Sequence, residues 1–256
     1  MKKIIYLSLL LSISYAKENS IKLFIIGAST VHNTTPSEMG WGTALKEYAL
    51  NPKNIYNLAR AGSSSKSYKI CNSKPSECYK NRNWENTKNL IKHTDISSGA
   101  YLLIQFAHND EDESRAEVYT VAGRGNSFYQ ELKVFIDEAK ELGVTPILST
   151  PTERMRKRKN QNLEITHKRV DGDYGQTVRD LAKDSGVLLI DLQKKTYNEF
   201  NQYSDKQAIM KKFAFDDTTH FSPQGAKIIA SWVKELMCRT GDKNLCSIFR
   251  QDNAFY

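Results

Sequence analysis

The residues best suited to chemistry in this chain are a carboxylate and an imidazole three positions apart, Asp217 and His220. They stand just before Ser222 and Pro223, a pair typical of a helix start. A loop this short can turn both side chains to one side, so that the Asp orients the His. Such a pair supplies two of the three members of a hydrolase triad, and it needs a nucleophile from elsewhere in the chain.

The candidate nucleophile is Ser29, which follows the apolar run 21–27 near the N-terminus. Other interpretations of these residues stay open at this point. A Ser after a strand often caps a helix, Asp217 could serve only as a turn residue, and Asp216 is a rival for the orienting role. His220 alone would more often be structural than catalytic.

Elements that could position these side chains alternate along the chain. Apolar runs predict five short strands, at 21–27, 54–59, 101–107, 144–150 and 187–191. Helical spacing of apolar residues predicts helices at 39–50, 128–139, 174–182 and from 223 onward. This alternation predicts a parallel sheet with helices on both faces. Ser29, Gly62 and Asn109 each follow a predicted strand, so we expect them to gather at one edge of the sheet.

Length and charge narrow the class of protein. At 256 residues the chain is long enough for one domain with a full core. The formal net charge is +8, and the excess is concentrated in a basic cluster, defined here as Arg154, Arg156, Lys157, Arg158 and Lys159. No nucleic-acid recognition motif accompanies this cluster, so we do not expect a nucleic-acid partner.

The N-terminus has the pattern of an export signal. Lys2 and Lys3 precede a short apolar run, and Ser14-Tyr15-Ala16 offers a small-x-small cleavage site. We therefore expect residues 1–16 to be a signal peptide and 17–256 to be a single domain, secreted or periplasmic. No cysteine follows the run, so no lipid anchor is expected, and no other segment is apolar enough to cross a membrane.

Four cysteines agree with an oxidising compartment. The simplest pairing joins Cys71 to Cys78 and Cys238 to Cys246, although four cysteines allow three connectivities. A four-thiolate metal site is the alternative, but it lacks a C-x-x-C pair. We expect no metal and no cofactor.

Four blocks of sequence together resemble the SGNH, or GDSL-type, hydrolases. In chain order they are Gly27-Ala28-Ser29-Thr30, Asn57 to Ser64, Phe106 to Asp110 and Asp217 to His220. Further details look like the rhamnogalacturonan acetylesterase branch of that family: Gly40-Trp41-Gly42, Ser67-Tyr68, Ile190-Asp191-Leu192 and Ser222-Pro223-x-Gly225-Ala226. The resemblance implies a three-layer α/β sandwich around a five-stranded parallel sheet, with a flavodoxin-like order of strands.

The resemblance also implies a role for each matching residue. Ser29 would be the nucleophile, His220 the base that activates it, and Asp217 the residue that orients His220. The oxyanion of the tetrahedral intermediate would be stabilised by the backbone N–H groups of Ser29 and Gly62 and by the side-chain amide of Asn109. His108 and Asp110 would support the position of Asn109, and Asn57 would hold its own turn.

Two residues depart from the family pattern. The family usually has Asp where this chain has Ala28, and Gly where it has Ala107. Loss of the Asp could loosen the turn that holds Ser29, whereas Ala107 adds a methyl group near the pocket.

The function that follows from the resemblance is an exported carbohydrate O-acetylesterase acting through an acetyl-enzyme intermediate. Its partner would be an acetylated glycan such as a pectin-like polymer, and we expect a monomer. Arg154, Arg156, Lys157 and Arg158 follow the fourth predicted strand, so they are candidate contacts to an acidic substrate. Alternatives are O-acetylated peptidoglycan or another envelope glycan as substrate, a lipolytic esterase or thioesterase, and an inactive glycan-binding protein.

Overall fold

A computed structural model describes residues 20–70, 83–156, 164, 166–170 and 172–251. Several expectations from sequence lie outside these ranges: the signal peptide at 1–16, the pair Cys71–Cys78, and three members of the basic cluster, Lys157, Arg158 and Lys159. They stay predictions.

The centre of the fold is a parallel sheet of five strands, which confirms the predicted fold class. Its strands are β1 (Lys22–Gly27), β2 (Ile55–Asn57), β3 (Ala100–Gln105), β4 (Thr145–Ser149) and β7 (Leu188–Ile190). They lie in the order β2-β1-β3-β4-β7, and every neighbouring pair is parallel. This order reverses direction at β1, so the crevice beyond the carboxyl ends of β1 and β3 is where a ligand is expected.

Helices cover the sheet, and a small hairpin lies beside it. The α-helices are α1 (Trp41–Ala44), α2 (Trp84–Lys92), α3 (Ser127–Glu141), α4 (Tyr174–Ser185), α5 (Leu192–Phe200), α6 (Lys206–Phe213), α7 (Pro223–Arg239) and α8 (Lys243–Cys246). Short 3₁₀ helices span Leu45–Tyr48, Pro52–Asn54 and Ser67–Lys69, and β5 (Lys168–Arg169) pairs with β6 (Gly172–Asp173) as an antiparallel hairpin. The predicted helix at 39–50 is therefore shorter than expected and ends in a 3₁₀ turn.

Alternation along the strands divides the core into two layers. Leu23 and Ile25 of β1 pack with α1, α5, α6 and α7 on one face of the sheet. Phe24 and Ile26 point to the other face, where α2, α3 and α4 cover them. Because successive side chains of a strand point to opposite faces, an uninterrupted apolar run can serve both layers at once.

The C-terminal part of the fold contains one expected cap and one expected disulfide. Ser222 caps α7 by accepting a hydrogen bond from the Gly225 N–H at 3.1 Å, and Pro223 occupies the first turn. Cys238 at the end of α7 is bonded to Cys246 of α8. Within the described residues, none of the helices combines the length and apolar character that a membrane span requires.

Candidate active site

Ser29 sits in a tight turn directly after β1. The carbonyl of Ala28 accepts hydrogen bonds from the N–H groups of Val31 at 3.1 Å and His32 at 2.9 Å. The turn is thus closed through the backbone although Ala28 lacks the carboxylate that the family usually has there. Gly40 packs against the same turn, since a Cβ at that position would lie 2.3 Å from the Val31 carbonyl oxygen.

The structure brings the three predicted triad residues into contact. His220 Nε2 lies 2.8 Å from Ser29 Oγ, and His220 Nδ1 lies 2.7 Å from Asp217 Oδ2. A carboxylate can only accept, so Nδ1 carries the proton and Nε2 is left to accept the Ser29 hydroxyl. This is the tautomer that a general base next to a serine requires. Asp217, and not its neighbour Asp216, contacts the ring.

The Asp217 carboxylate is also held by its own loop. Its Oδ1 accepts the backbone N–H groups of Thr219 at 2.6 Å and His220 at 2.7 Å. Partial burial raises the pKa of Asp217, but these two hydrogen bonds and the one from the His220 ring outweigh it and bring the pKa below its usual value. The carboxylate therefore stays ionised at neutral pH and can stabilise a positive charge on His220.

Asn109, in the segment after β3, is hydrogen-bonded to the segment after β2 that contains Gly62. Asn109 Nδ2 donates to the Ser63 carbonyl at 2.8 Å, and its Oδ1 accepts from Arg115 Nη2 at 3.1 Å. These two partners set the orientation of the amide and leave Nδ2 a second hydrogen for another acceptor. Gly62 has φ 74°, a left-handed conformation that glycine adopts without a steric penalty.

Asp110 ties the segment after β3 to the segment after β2. Its carboxylate accepts the backbone N–H groups of Ser65 at 2.9 Å and Ala107 at 3.0 Å, and the Thr120 hydroxyl at 3.0 Å. Full burial raises the pKa of Asp110 to about 7, against the opposing effect of these hydrogen bonds. Asp110 thereby supports the neighbouring Asn109 through the backbone. Asn57 likewise holds its turn, donating to the Val31 carbonyl at 2.8 Å.

Arg154, which we expected to be a candidate contact to an acidic substrate, has its guanidinium inside this network. Its side chain is 13 % exposed, and Nη2 donates to Glu111 Oε1 at 2.6 Å. The same nitrogen donates to the His108 carbonyl at 3.1 Å, and Nη1 donates to the Thr219 hydroxyl. All of these partners belong to the protein. The guanidinium therefore joins the segment after β3 to the loop that carries Asp217 and His220.

Arg156 is exposed, as expected for a member of the basic cluster. Lys157 and Arg158 follow it beyond the described residues. A substrate-binding role for these three residues stays a prediction.

Sequence reasoning gave no role to four side chains around the site. Arg115 contacts Asn109, and Glu111 joins Arg154 to the buried His167, whose Nδ1 is 3.1 Å from Glu111 Oε2. Glu38 places its Oε1 3.8 Å from His220 Nε2. Apart from Arg115, which is six residues from Asn109, these side chains have partners distant in sequence, so no local spacing could have indicated them. Across the ranges that the structure covers, no cluster of three or more His, Cys, Asp or Glu side chains could hold a metal ion.

Comparison with known families agrees with this geometry. Residues 23–233 match the GDSL-like Lipase/Acylhydrolase family, which is most of the chain. The chain therefore belongs to that family, and it is a carboxylic ester hydrolase. The resemblance seen in the four sequence blocks is confirmed.

In sequence, the chain is similar to two proteins of Bacillus subtilis. It is 29 % identical to the rhamnogalacturonan acetylesterase RhgT, over 84 % of this chain and 90 % of the relative. It is 26 % identical to YesY, a probable rhamnogalacturonan acetylesterase, over 84 % of this chain and 93 % of that protein.

Solved structures show the same fold at lower identity. The Bacillus subtilis protein YXIM superposes with a TM-score of 0.62 at 22 % identity, covering 87 % of this chain and 57 % of that one. Axe2, an acetylxylan esterase from Geobacillus stearothermophilus, superposes with a TM-score of 0.52 at 17 % identity, covering 90 % of this chain and 97 % of that one.

Proposed function

We propose that this protein is an exported carbohydrate O-acetylesterase with Ser29, His220 and Asp217 as its catalytic triad. The observation that carries the proposal is the unbroken series of contacts from Ser29 Oγ through the His220 ring to the Asp217 carboxylate, at 2.8 and 2.7 Å. A serine hydroxyl is a weak nucleophile until a base accepts its proton, and His220 Nε2 is placed to do so.

The reaction proceeds in two steps. Ser29 Oγ bonds to the acetyl carbonyl carbon as its proton passes to His220 Nε2, and the carbonyl oxygen becomes an oxyanion. The carbon–oxygen bond to the sugar then breaks, and the sugar oxygen takes the proton from His220. Water next attacks the acetyl-enzyme with the same base, releasing acetate and restoring Ser29. Asp217 stabilises the imidazolium in both steps.

The oxyanion would be stabilised by three donors. The orientation of the Asn109 amide, with one hydrogen on the Ser63 carbonyl and one to spare, suits this role. The backbone N–H groups of Ser29 and Gly62 complete the set. Removing one such donor typically lowers the rate about a hundredfold or more.

The choice of an acetylated glycan as substrate is supported by the two relatives named as rhamnogalacturonan acetylesterases. The network around the triad supports it further. Polar and charged side chains such as Glu38 and Arg115 lie beside the site, which suits a sugar better than a long acyl chain. We therefore propose a pectin-like polymer of the rhamnogalacturonan type, and export follows from the expected signal peptide.

The test is acetate release from acetylated rhamnogalacturonan, acetylated xylan and O-acetylated peptidoglycan, compared side by side with a chromogenic acetyl ester. We expect the highest kcat/KM on rhamnogalacturonan. Ser29→Ala should lower kcat on every substrate by at least about a thousandfold, because the covalent step is lost. Ser231→Ala, a change of the same size on α7, is the control and should retain full activity.

Two results would contradict the proposal separately. Full activity in Ser29→Ala would exclude Ser29 as the nucleophile. Hydrolysis of the chromogenic ester alone, with no acetate from any glycan, would leave the triad intact and exclude the carbohydrate substrate.

A further inference from the structure

The Glu38 carboxylate has an unusual environment beside the triad. The side chain is 17 % exposed, and the ionisable group beside it is the His220 ring, with Glu38 Oε1 3.8 Å from His220 Nε2. That separation is too long for a hydrogen bond. Throughout the described part of the chain, no other hydrogen bond or ion pair reaches this carboxylate. A partly exposed carboxylate that accepts no hydrogen bond from the protein remains available to accept one from a bound ligand.

The backbone around Glu38 holds the carboxylate where it is. The Glu38 N–H donates to the Thr35 hydroxyl at 2.9 Å, and its carbonyl accepts the N–H groups of Thr34 and Thr35, each at 3.2 Å. The next residue, Met39, donates its N–H to the Phe221 carbonyl at 3.1 Å, directly after His220. The loop that follows Ser29 is therefore hydrogen-bonded to the segment that carries His220.

Glu38 and Ser29 lie in front of the same nitrogen atom. Ser29 Oγ is 2.8 Å from His220 Nε2, and Glu38 Oε1 is 3.8 Å from it. Any ester attacked by Ser29 must place its leaving oxygen close to that nitrogen, because His220 returns the proton there. The part of the substrate attached to the leaving oxygen therefore comes within reach of Glu38.

We propose that Glu38 is a specificity-determining residue that accepts a hydrogen bond from a free hydroxyl group of the sugar, on the carbon next to the one that bears the acetyl ester. This inference rests on the proposed function, since it requires a sugar as the leaving group. A hydroxyl supplies the donor that the carboxylate lacks, and hydrogen bonds to charged groups are stronger than neutral ones. An acyl chain or a simple aryl ester has no such donor.

The contact gives the site a defined preference. The hydrogen bond forms only with substrates that carry the neighbouring hydroxyl, so these should react about ten- to a hundredfold faster at limiting concentration. A carboxylate at the same position of the sugar ring would be repelled by Glu38. The site therefore selects a hydroxyl next to the ester and directs any acid group of the polymer elsewhere.

The test uses two small substrates that differ by one oxygen atom. One is an acetylated methyl glycoside with a free hydroxyl next to the ester, and the other is its deoxy analogue. We expect wild-type protein to prefer the first by about ten- to a hundredfold in kcat/KM. Glu38→Met, which has a similar length and no acceptor of comparable strength, should remove this preference. Any fall in kcat/KM for the deoxy analogue and for a chromogenic acetyl ester should be the same for both and smaller than the fall for the hydroxylated glycoside, because these two lack the contact and are affected only by the charge lost near His220.

A matched control is Glu47→Met, which removes a surface carboxylate paired with Lys227. It should leave kcat/KM for both glycosides unchanged. Glu38→Gln keeps an oxygen acceptor without the charge, so it should retain part of the preference. This variant also distinguishes loss of the contact from misfolding, since it preserves the size and polarity of the side chain.

Three outcomes would overturn the inference. Equal kcat/KM of the wild-type protein for the two glycosides, or a preference that survives in Glu38→Met, means that Glu38 binds no hydroxyl. An equal loss on all three substrates would instead show that Glu38 acts through His220. The proposed function fails by a different result, namely that wild-type protein cleaves the chromogenic ester and neither glycoside, and this would overturn both.

Discussion

At the scale of single residues, Ala107 shows what a departure from the family pattern does to the backbone. It has φ 136°, a conformation that favours glycine, and it is fully buried. A hydrogen bond from the Ala107 N–H to Asp110 Oδ2 at 3.0 Å holds the backbone in this conformation. A glycine would take this conformation without strain, which explains why the family usually has Gly there. The methyl group thus strains the backbone next to Asn109, in addition to occupying space near the pocket.

We predict that Ala107→Gly stabilises the protein. The strain of a non-glycine residue in such a conformation is about 1–3 kcal/mol, whereas the added freedom of glycine in the unfolded chain costs up to about 1 kcal/mol. Thermal unfolding should show Tm higher by about 2–4 °C for each kcal/mol gained. Ala139→Gly, at another fully buried alanine within α3, is the control and should lower Tm. A fall in Tm as large as that of the control would contradict the prediction.

At the scale of elements, the segment after β4 connects two other segments of the site. Arg154 binds Glu111 after β3 and Thr219 in the loop before α7, and the Met155 N–H donates to the Thr218 carbonyl at 2.7 Å. Arg154 touches no reacting group directly. It is a positioning residue that sets the Asp217–His220 loop relative to the segment that carries Asn109.

We predict that Arg154→Met lowers kcat on the chromogenic ester at least about tenfold, with little change in KM, because the base and the oxyanion donors lose their relative placement. Thr219→Val should reproduce part of the loss. The free-energy cost of the double variant, calculated from kcat, should be smaller than the sum of the two single costs, since both changes break the same contact.

The control for Arg154 is Arg179→Met. Arg179 pairs with Asp191 at 2.9 Å in a half-buried ion pair and contacts none of the triad residues. Its loss should lower Tm while kcat per folded molecule stays near that of wild type. An unchanged kcat in Arg154→Met, measured on folded protein, would show that Arg154 only stabilises the fold.

At the scale of the whole molecule, charge is unevenly placed relative to the site. The formal net charge is +8, and the exposed Arg156 follows β4, at the edge of the sheet where the triad lies. Lysines at the ends of α2, α3 and α4 lie near the opposite edge: Lys92, Lys140 and Lys183. Only positive charge on the triad's side can raise the local concentration of an acidic polymer there.

We predict that replacing Arg156, Lys157 and Arg158 by Gln raises KM for an acidic acetylated polymer several-fold at low salt. The effect should shrink as added salt screens the charges, and the neutral chromogenic ester should be unaffected. Replacing Lys92, Lys140 and Lys183 by Gln removes equal charge from the opposite edge and should leave KM for the polymer unchanged. Electrostatic steering would be excluded if KM rose equally for the polymer and the small ester. It would also be excluded if the two triple variants raised KM for the polymer equally.

The sequence indicated much of the fold because the strands are continuous apolar runs buried on both faces. The sequence predicted fewer helices than the described part of the structure contains. α5, for example, buries Gln193 and Thr196 along with Leu192 and Phe200, so its apolar period is interrupted. The small hairpin of β5 and β6 is too short to produce any pattern.

The order of Ser29, Gly62, Asn109, Asp217 and His220 along the chain was enough to predict the type of reaction and the residues proposed to carry it. The pattern of apolar runs also predicted that Ser29, Gly62 and Asn109 follow strands and so share one edge of the sheet. The surroundings of these groups became visible only in the folded chain. Folding placed Arg154 inside the protein, Glu38 in front of His220, and Ala107 in a strained conformation. Each depends on contacts between segments far apart in the chain, and the residue types alone do not specify which partners the folded backbone will bring together.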